Sequence, residues 1–165
     1  MYEPEKKAKI LVVEDEAYIQ QVLCAYLTYS GFEVCSASNG QDAIKLIPEF
    51  CPHLIVLDLM MQPVDGWEVL QWLRRERPKG EASFDHIPVL VLSARTKLAE
   101  QARGYEEGAV EYMTKPTQPS VVVERIRALL AMDPEQRDRR RHQRHDQQRK
   151  TLERLNAPQP DEFVY

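Results

Sequence analysis

His53-Leu54-Ile55-Val56-Leu57-Asp58 runs four uninterrupted aliphatic residues into a carboxylate. A strand with one wet face alternates apolar and polar residues. A continuous run of this length suits a strand covered on both faces, as in a parallel sheet. Lys9-Ile10-Leu11-Val12-Val13-Glu14 and Pro88-Val89-Leu90-Val91-Leu92-Ser93 have the same character. Phe32 to Ala37 and Ala109 to Met113 are weaker runs of strand type.

Helical spacing separates these runs. Residues 17–29 place Ile19, Val22, Leu23, Tyr26 and Leu27 at intervals of three and four, and Ser30-Gly31 is a stop signal. After the Asn39-Gly40 turn, Ala43, Ile44 and Ile47 predict a helix that ends before Pro48 and Pro52. A third helix carries Trp67, Val69, Leu70 and Leu73, a weak polar one covers 97–107, and Pro119 to Met132 closes the series with Val122, Val123, Ile126, Leu129 and Leu130. Residues 76–86 are polar and read as a loop. Strand and helix alternate five times, the pattern of a doubly wound α/β domain with a parallel sheet and right-handed crossovers, over about residues 7–132.

The polar residues then fall in register with the strands. Glu14-Asp15 follow the first strand, Asp58 ends the third, Ser93 ends the fourth, and Lys115 lies just beyond the fifth. Sites in open α/β sheets form outside the carboxyl ends of the strands, so three carboxylates, a hydroxyl and an ammonium are sent to one edge. Singly, each is a routine cap or turn former, Tyr112 a core aromatic and Met60 a gap filler. Four such positions at the ends of four strands are not routine.

Clustered carboxylates repel, and a hard divalent cation relieves the repulsion; Mg²⁺ suits a site with few protein ligands because it keeps waters and takes phosphate oxygens. An Asp carboxylate can act as a nucleophile and form an aspartyl phosphate. Lys115 can neutralise charge on a transferring phosphoryl group, and Ser93 can donate to one of its oxygens.

The segments ILVVEDE, LIVLDLMMQPVDGWE, VLVLSAR and EEGAVEYMTKP resemble the receiver domains of two-component response regulators over about residues 8–132. The resemblance implies a flavodoxin-like five-stranded sheet of order 2-1-3-4-5. It implies Asp58 as phospho-acceptor, Glu14 and Asp15 as the acidic pair that holds Mg²⁺, and the Met60 backbone carbonyl as a further metal ligand. It makes Ser93 and Tyr112 the switch pair, Ala94 the small residue that leaves the phosphate room, and Lys115 the partner of the phosphoryl group. Lys115-Pro116 becomes a candidate cis peptide. The implied partners are a sensor histidine kinase or phosphotransfer protein, and a downstream protein that reads the face of the fourth helix and fifth strand; a homodimer is a further option. That face, with Ala99, Ala102, Tyr105 and Val110, is expected to be wet until a partner covers it. The chain would catalyse its own phosphotransfer and autodephosphorylation without being a conventional enzyme. One departure stands beside the acceptor: Gln62 then Pro63, where the family usually has Pro four residues after the acceptor.

Bulk properties fit. At 165 residues with 43% hydrophobic and 29% charged content, the chain is of globular type. It has no membrane-length apolar run and no signal-peptide core at its start, so a cytoplasmic protein is expected. Cys24, Cys35 and Cys51 lack metal-site spacing and read as thiols in a reducing compartment. A flavin protein would need a phosphate-cradling loop where Glu14-Asp15-Glu16 stands, and an Asp-x-Asp phosphatase would need a carboxylate where Met60 stands. A non-phosphorylated binding module of the same fold, or the N-terminal portion of a longer regulator, are the alternatives.

Residues 1–132 read as the receiver domain, with net charge −5, and 133–165 as an appended linker or helix with net charge +1. Within the latter, residues 137–154 hold eight basic and three acidic residues. Asp133-Pro134-Glu135-Gln136 is a helix start, but no apolar residue follows until Leu152, so a solvated linker is expected. Leu152, Leu155 and Phe163 are the residues that could pack it back, and nucleic-acid binding is not expected, because acids interleave and no base-reading element is present. The stretch from Asn156 on reads as unstructured.

Overall fold

The apolar runs form one sheet. In the computed structural model, which describes residues 6–157, the strands are β1 (Lys9–Val13), β2 (Glu33–Ala37), β3 (Leu54–Leu57), β4 (Val89–Ser93) and β5 (Glu111–Thr114). They are all parallel, in the order β2-β1-β3-β4-β5. The helices are α1 (Ala17–Tyr29), α2 (Gly40–Phe50), α3 (Gly66–Arg74), α4 (Leu98–Glu106), α5 (Pro119–Ala131) and α6 (Pro134–Asn156). The three central strands are buried along nearly their whole length, as their unbroken apolar sequence requires. Their side chains alternate between two cores. Leu11, Ile55, Leu57 and Val91 face α2 and α3; Ile10, Val12, Leu54, Val56 and Leu90 face α1 and α5.

Local chemistry sets the helix limits. Asp65 caps α3 through a capping box with Glu68, and Asn39 caps α2 by accepting from the Asp42 N–H. The expectation that α2 stops before Pro48 is corrected: Pro48 lies inside the helix, which runs to Phe50 and ends at Cys51 in a left-handed conformation (φ 52°). So near the end, the missing N–H removes only one bond of the ladder, and the buried Ile47 holds the last turn to the sheet. The 76–86 segment is a loop. Phe84 stacks on Trp72 with 5.4 Å between centroids, and the Arg77 guanidinium lies over both rings.

The other correction concerns the α4–β5 face. It is not open: α6 starts at a second capping box, Asp133 with Gln136, and lies along α4. Ala102, Tyr105 and Val110 are buried, and only Ala99 is exposed. No described helix is long and apolar enough to cross a membrane. Phe163 and most of the tail expected to be unstructured lie outside the described residues.

Candidate functional site

Parallel register brings the polar residues together. The Asp58 N–H donates to the Val13 carbonyl (3.0 Å), so Asp58 emerges beside Glu14, whose own N–H bonds the Ala37 carbonyl (3.0 Å). On the other side Ser93 pairs with Thr114, and the Lys115 N–H donates to the Ser93 carbonyl (2.8 Å). One carboxylate oxygen from each of Glu14, Asp15 and Asp58 lies within 4.8 Å of the others. Glu14 and Asp58 are buried, and Asp15 is exposed.

Lys115 is the local counter-charge. Its Nζ donates to Glu14 Oε2 at 2.6 Å and lies 3.4 Å from Asp58 Oδ2. Three carboxylates against one ammonium leave the cluster two charges negative. Burial pushes the Asp58 carboxyl above its usual range, and Lys115 and the Met60 N–H (3.2 Å to Oδ1) offset this only partly. Burial likewise raises Glu14, against the Lys115 hydrogen bond and with the Asp58 charge. For Lys115, burial alone would lower the value; the bond to Glu14 and the charge of Asp58 outweigh it and hold the ammonium above its ordinary range.

A carboxyl raised in the folded state binds more protons there than in the unfolded chain, so its contribution to stability falls as pH rises through and above the ordinary carboxylate range. Removing the Asp58 charge should therefore stabilise the cation-free protein at neutral pH. Asp58→Asn is expected to melt at a higher temperature than wild type at pH 7. The gap should close as pH falls below the carboxylate range. Thermal melts in a chelator check this; a lower melting temperature for the variant at pH 7 would contradict it.

Ser93 and Tyr112 stand next to this cluster. Ser93 is fully buried, and its Oγ accepts from the Arg95 N–H at 3.2 Å. Tyr112 is turned inward, and its hydroxyl donates to the Arg95 carbonyl at 2.9 Å. Burial raises its phenol to about 12. Its ring lies against Gly104, where a Cβ would meet it at 2.9 Å. Met60 is half-exposed and fills no gap; its place two residues after Asp58 keeps its backbone beside the cluster. Ala94 is exposed next to Ser93. The Lys115-Pro116 bond is cis, and at the Gln62-Pro63 departure the peptide is cis as well.

Gly66, a loop residue by sequence, shapes the site. Its N–H donates to the Leu59 carbonyl (3.1 Å), and a Cβ there would collide with the Asp58 carbonyl and Leu59 Cα. Only glycine lets α3 start this close to the Asp58 backbone. Beside Asp15 a cleft of about 300 Å³ opens between Met60, Gln62, Asp65, Trp67 and Arg95. A larger cleft, about 430 Å³, lies by the starts of β4 and β5. Its Arg74 and Arg137 donate to the backbone carbonyls of Asp85, Gly108 and Met132, so that cleft is built for packing.

Comparison with known proteins identifies the family and the fold. The family model described as the response regulator receiver domain matches residues 10–127. A probable transcriptional regulator ycf27 of Porphyra purpurea is 40% identical over 125 residues, 76% of this chain and 48% of that protein. The phosphate regulon transcriptional regulatory protein PhoB of Klebsiella pneumoniae is 38% identical over 122 residues, 74% and 51% of the two chains. The chain thus spans about half the length of the curated relatives it matches. Among solved structures, the receiver domain of the Francisella response regulator 1452 superposes with a TM-score of 0.68 at 28% identity, covering 75% of this chain and 97% of that one. The BeF3-activated N-terminal receiver domain of Klebsiella pneumoniae RstA gives 0.65 at 27% identity, covering 75% and 99%.

Proposed function

Because this chain belongs to the response-regulator receiver domain family, we propose that it is a phospho-accepting switch in which Asp58 takes the phosphoryl group. The observation that carries this is a buried Asp58 carboxylate beside Lys115, which also pairs with Glu14, with the exposed Asp15 completing an all-oxygen cluster. The donor is a sensor histidine kinase or a phosphotransfer protein.

The residues fit Mg²⁺. Their side-chain donors are all carboxylate oxygens, their charge is undercompensated, and the cluster holds three carboxylates among the described residues, which leaves room for waters and phosphate oxygens. Asp15 and Asp58 would hold the ion with the Met60 carbonyl, and Glu14 would act through water. When bound, the cation neutralises charge on the phosphoryl oxygens.

The chain's own groups do the rest. An Asp58 Oδ attacks phosphorus in line, forming the O–P bond as the P–N bond of a phosphohistidine breaks; the leaving imidazole takes its proton from water. Lys115 compensates charge on the phosphoryl group, and Ser93 donates its hydroxyl proton to one of its oxygens. Hydrolysis of the same acyl phosphate by water returns the carboxylate, so transfer and autodephosphorylation share one site.

The phospho-accepting unit is assigned to residues 1–132, with 133–165 appended. A cytoplasmic setting agrees with the free thiols of Cys24, Cys35 and Cys51. A protein target reaching the α4–β5 face would have to displace α6. That several α6 arginines are directed at the receiver supports a helix that does not serve nucleic acid.

Incubated with acetyl phosphate and Mg²⁺, the protein is expected to gain the mass of one phosphoryl group, and a chelator should prevent it. Equal labelling with and without Mg²⁺, or none at all, would overturn the reading.

A further inference from the structure

The half-buried side of α6 is a stripe of polar residues. Arg137, Arg140, Arg141, Arg144, Gln148 and Leu152 recur at intervals of three and four, and Leu152 is the stripe's only aliphatic member. A docked helix ordinarily buries an apolar face; this one uses charge and hydrogen bonds. Arg141 donates to the Tyr105 carbonyl (3.4 Å) and Gln148 to Gln101 Oε1 (3.1 Å). Arg140 pairs with Glu111 of β5.

Glu111 is the centre of this contact. It is a buried carboxylate, and it also accepts from Arg125 of α5 at 3.1 Å. Arg140 fits it incompletely, because its Nε is buried with no hydrogen-bond partner among the described residues. Such a contact is held in place but carries little net stability: ion pairs with partial solvent access contribute modestly and weaken with salt, and an unmet donor costs part of the gain. Freed from α4, a helix this poor in apolar residues would be marginal.

The seat of α6 is joined to the acceptor site by consecutive hydrogen bonds. Ser93 Oγ accepts from the Arg95 N–H, and the Arg95 carbonyl accepts from the Tyr112 hydroxyl. The Tyr112 N–H donates to the Tyr105 hydroxyl at 3.2 Å, and that hydroxyl lies 3.5 Å from Glu111 Oε1. A phosphoryl group on Asp58 recruits the Ser93 hydroxyl as a donor, which disturbs the Arg95 segment that holds Tyr112.

We propose that α6 is a reversible intramolecular cover over the α4–β5 face, clasped by Glu111 and Arg140, and that phosphorylation of Asp58 releases it. The release step rests on the phospho-acceptor reading above. The cover's two positions are the two states, and phosphorylation shifts their populations. Because the contact is ionic, a small bias suffices.

Hydrogen exchange of the full-length chain tests this, with intact mass recorded on the same samples. In the unmodified protein, amides of residues 137–152 should be protected. After acetyl phosphate and Mg²⁺, in which the Asp58 Oδ–P bond forms and acetate leaves, their exchange should rise about tenfold or more, as expected if docking sets their local opening. Arg140→Ala should reproduce the rise without the donor and still accept a phosphoryl group, while Arg140→Lys should restore part of the protection. Arg140 lies on the appended helix, so its variants read the clasp without altering the buried Glu111 on β5. Phosphoryl uptake with unchanged α6 protection overturns the release step and leaves the acceptor reading standing. No uptake overturns both. Wild-type protection in Arg140→Ala overturns the clasp.

Discussion

Asp58→Asn is expected to take up no phosphoryl group under conditions that label the wild type fully. The carboxamide keeps the size of the side chain and can still accept the Met60 N–H, so the loop should keep its shape. What it loses is the nucleophile: a neutral amide oxygen does not form the acyl phosphate, and transfer here depends on that covalent step. The loss should be to background, beyond about a thousandfold, larger than the ~10²–10³ that follows removal of a single stabilising donor. Time courses of intact mass would show it. Labelling of Asp58→Asn at the wild-type rate would mean that the acceptor is another residue.

The second large effect is expected from Asp15→Ala. Glu14 is already engaged by Lys115 at 2.6 Å, and Asp58 is buried as well. Asp15 is the exposed carboxylate of the three and the one with no ammonium partner among the described residues. It is therefore the group on which capture of a cation most depends. Its loss should lower the initial labelling rate by roughly 10²–10³-fold at millimolar Mg²⁺, and raising Mg²⁺ should recover little. The fold should be unaffected, because the side chain is at the surface. A Mg²⁺ titration that superimposes on the wild type would place the cation elsewhere.

Much of this was legible in the sequence because the sheet is parallel. Uninterrupted runs such as Leu54–Leu57 can be satisfied only when covered on both faces, and the polar residues that end them then share one edge. The five strands and the meeting of Glu14, Asp15, Asp58, Ser93 and Lys115 at one edge follow from that constraint, whereas the strand order is legible only through the resemblance to receiver domains. The Lys115 bond to Glu14 is less readable. It joins residues 101 apart, and whether the ammonium favours Glu14 or Asp58 is decided by distances that no local pattern encodes. Gly66 reads in sequence as a loop residue, because its role is a close backbone approach, visible only once α3 is placed against the Asp58 carbonyl.

The docking of α6 shows a limit of a different kind. Periodicity is sought in apolar residues, and from Pro134 to Thr151 there is none that could report a buried face. The period was present in Arg137, Arg140, Arg141, Arg144 and Gln148, whose long side chains reach carbonyls and the buried Glu111. Glu111 gave the complementary signal, an acid on a buried strand that needs cationic partners. Pro48 does not stop α2 for a simpler reason, since a proline two residues before the helix end at Phe50 removes too little hydrogen bonding.

The most direct test of the account is to locate the phosphoryl group chemically. The protein would be treated with acetyl phosphate and Mg²⁺, reduced at once with borohydride, digested, and its peptides sequenced by mass spectrometry. Borohydride converts an aspartyl phosphate to homoserine and leaves phosphoserine, phosphohistidine and free carboxylates intact. The account predicts homoserine at position 58 alone, absent when Mg²⁺ is chelated. Phosphate on a serine or histidine, or homoserine at position 15 with Asp58 unmodified, would contradict it.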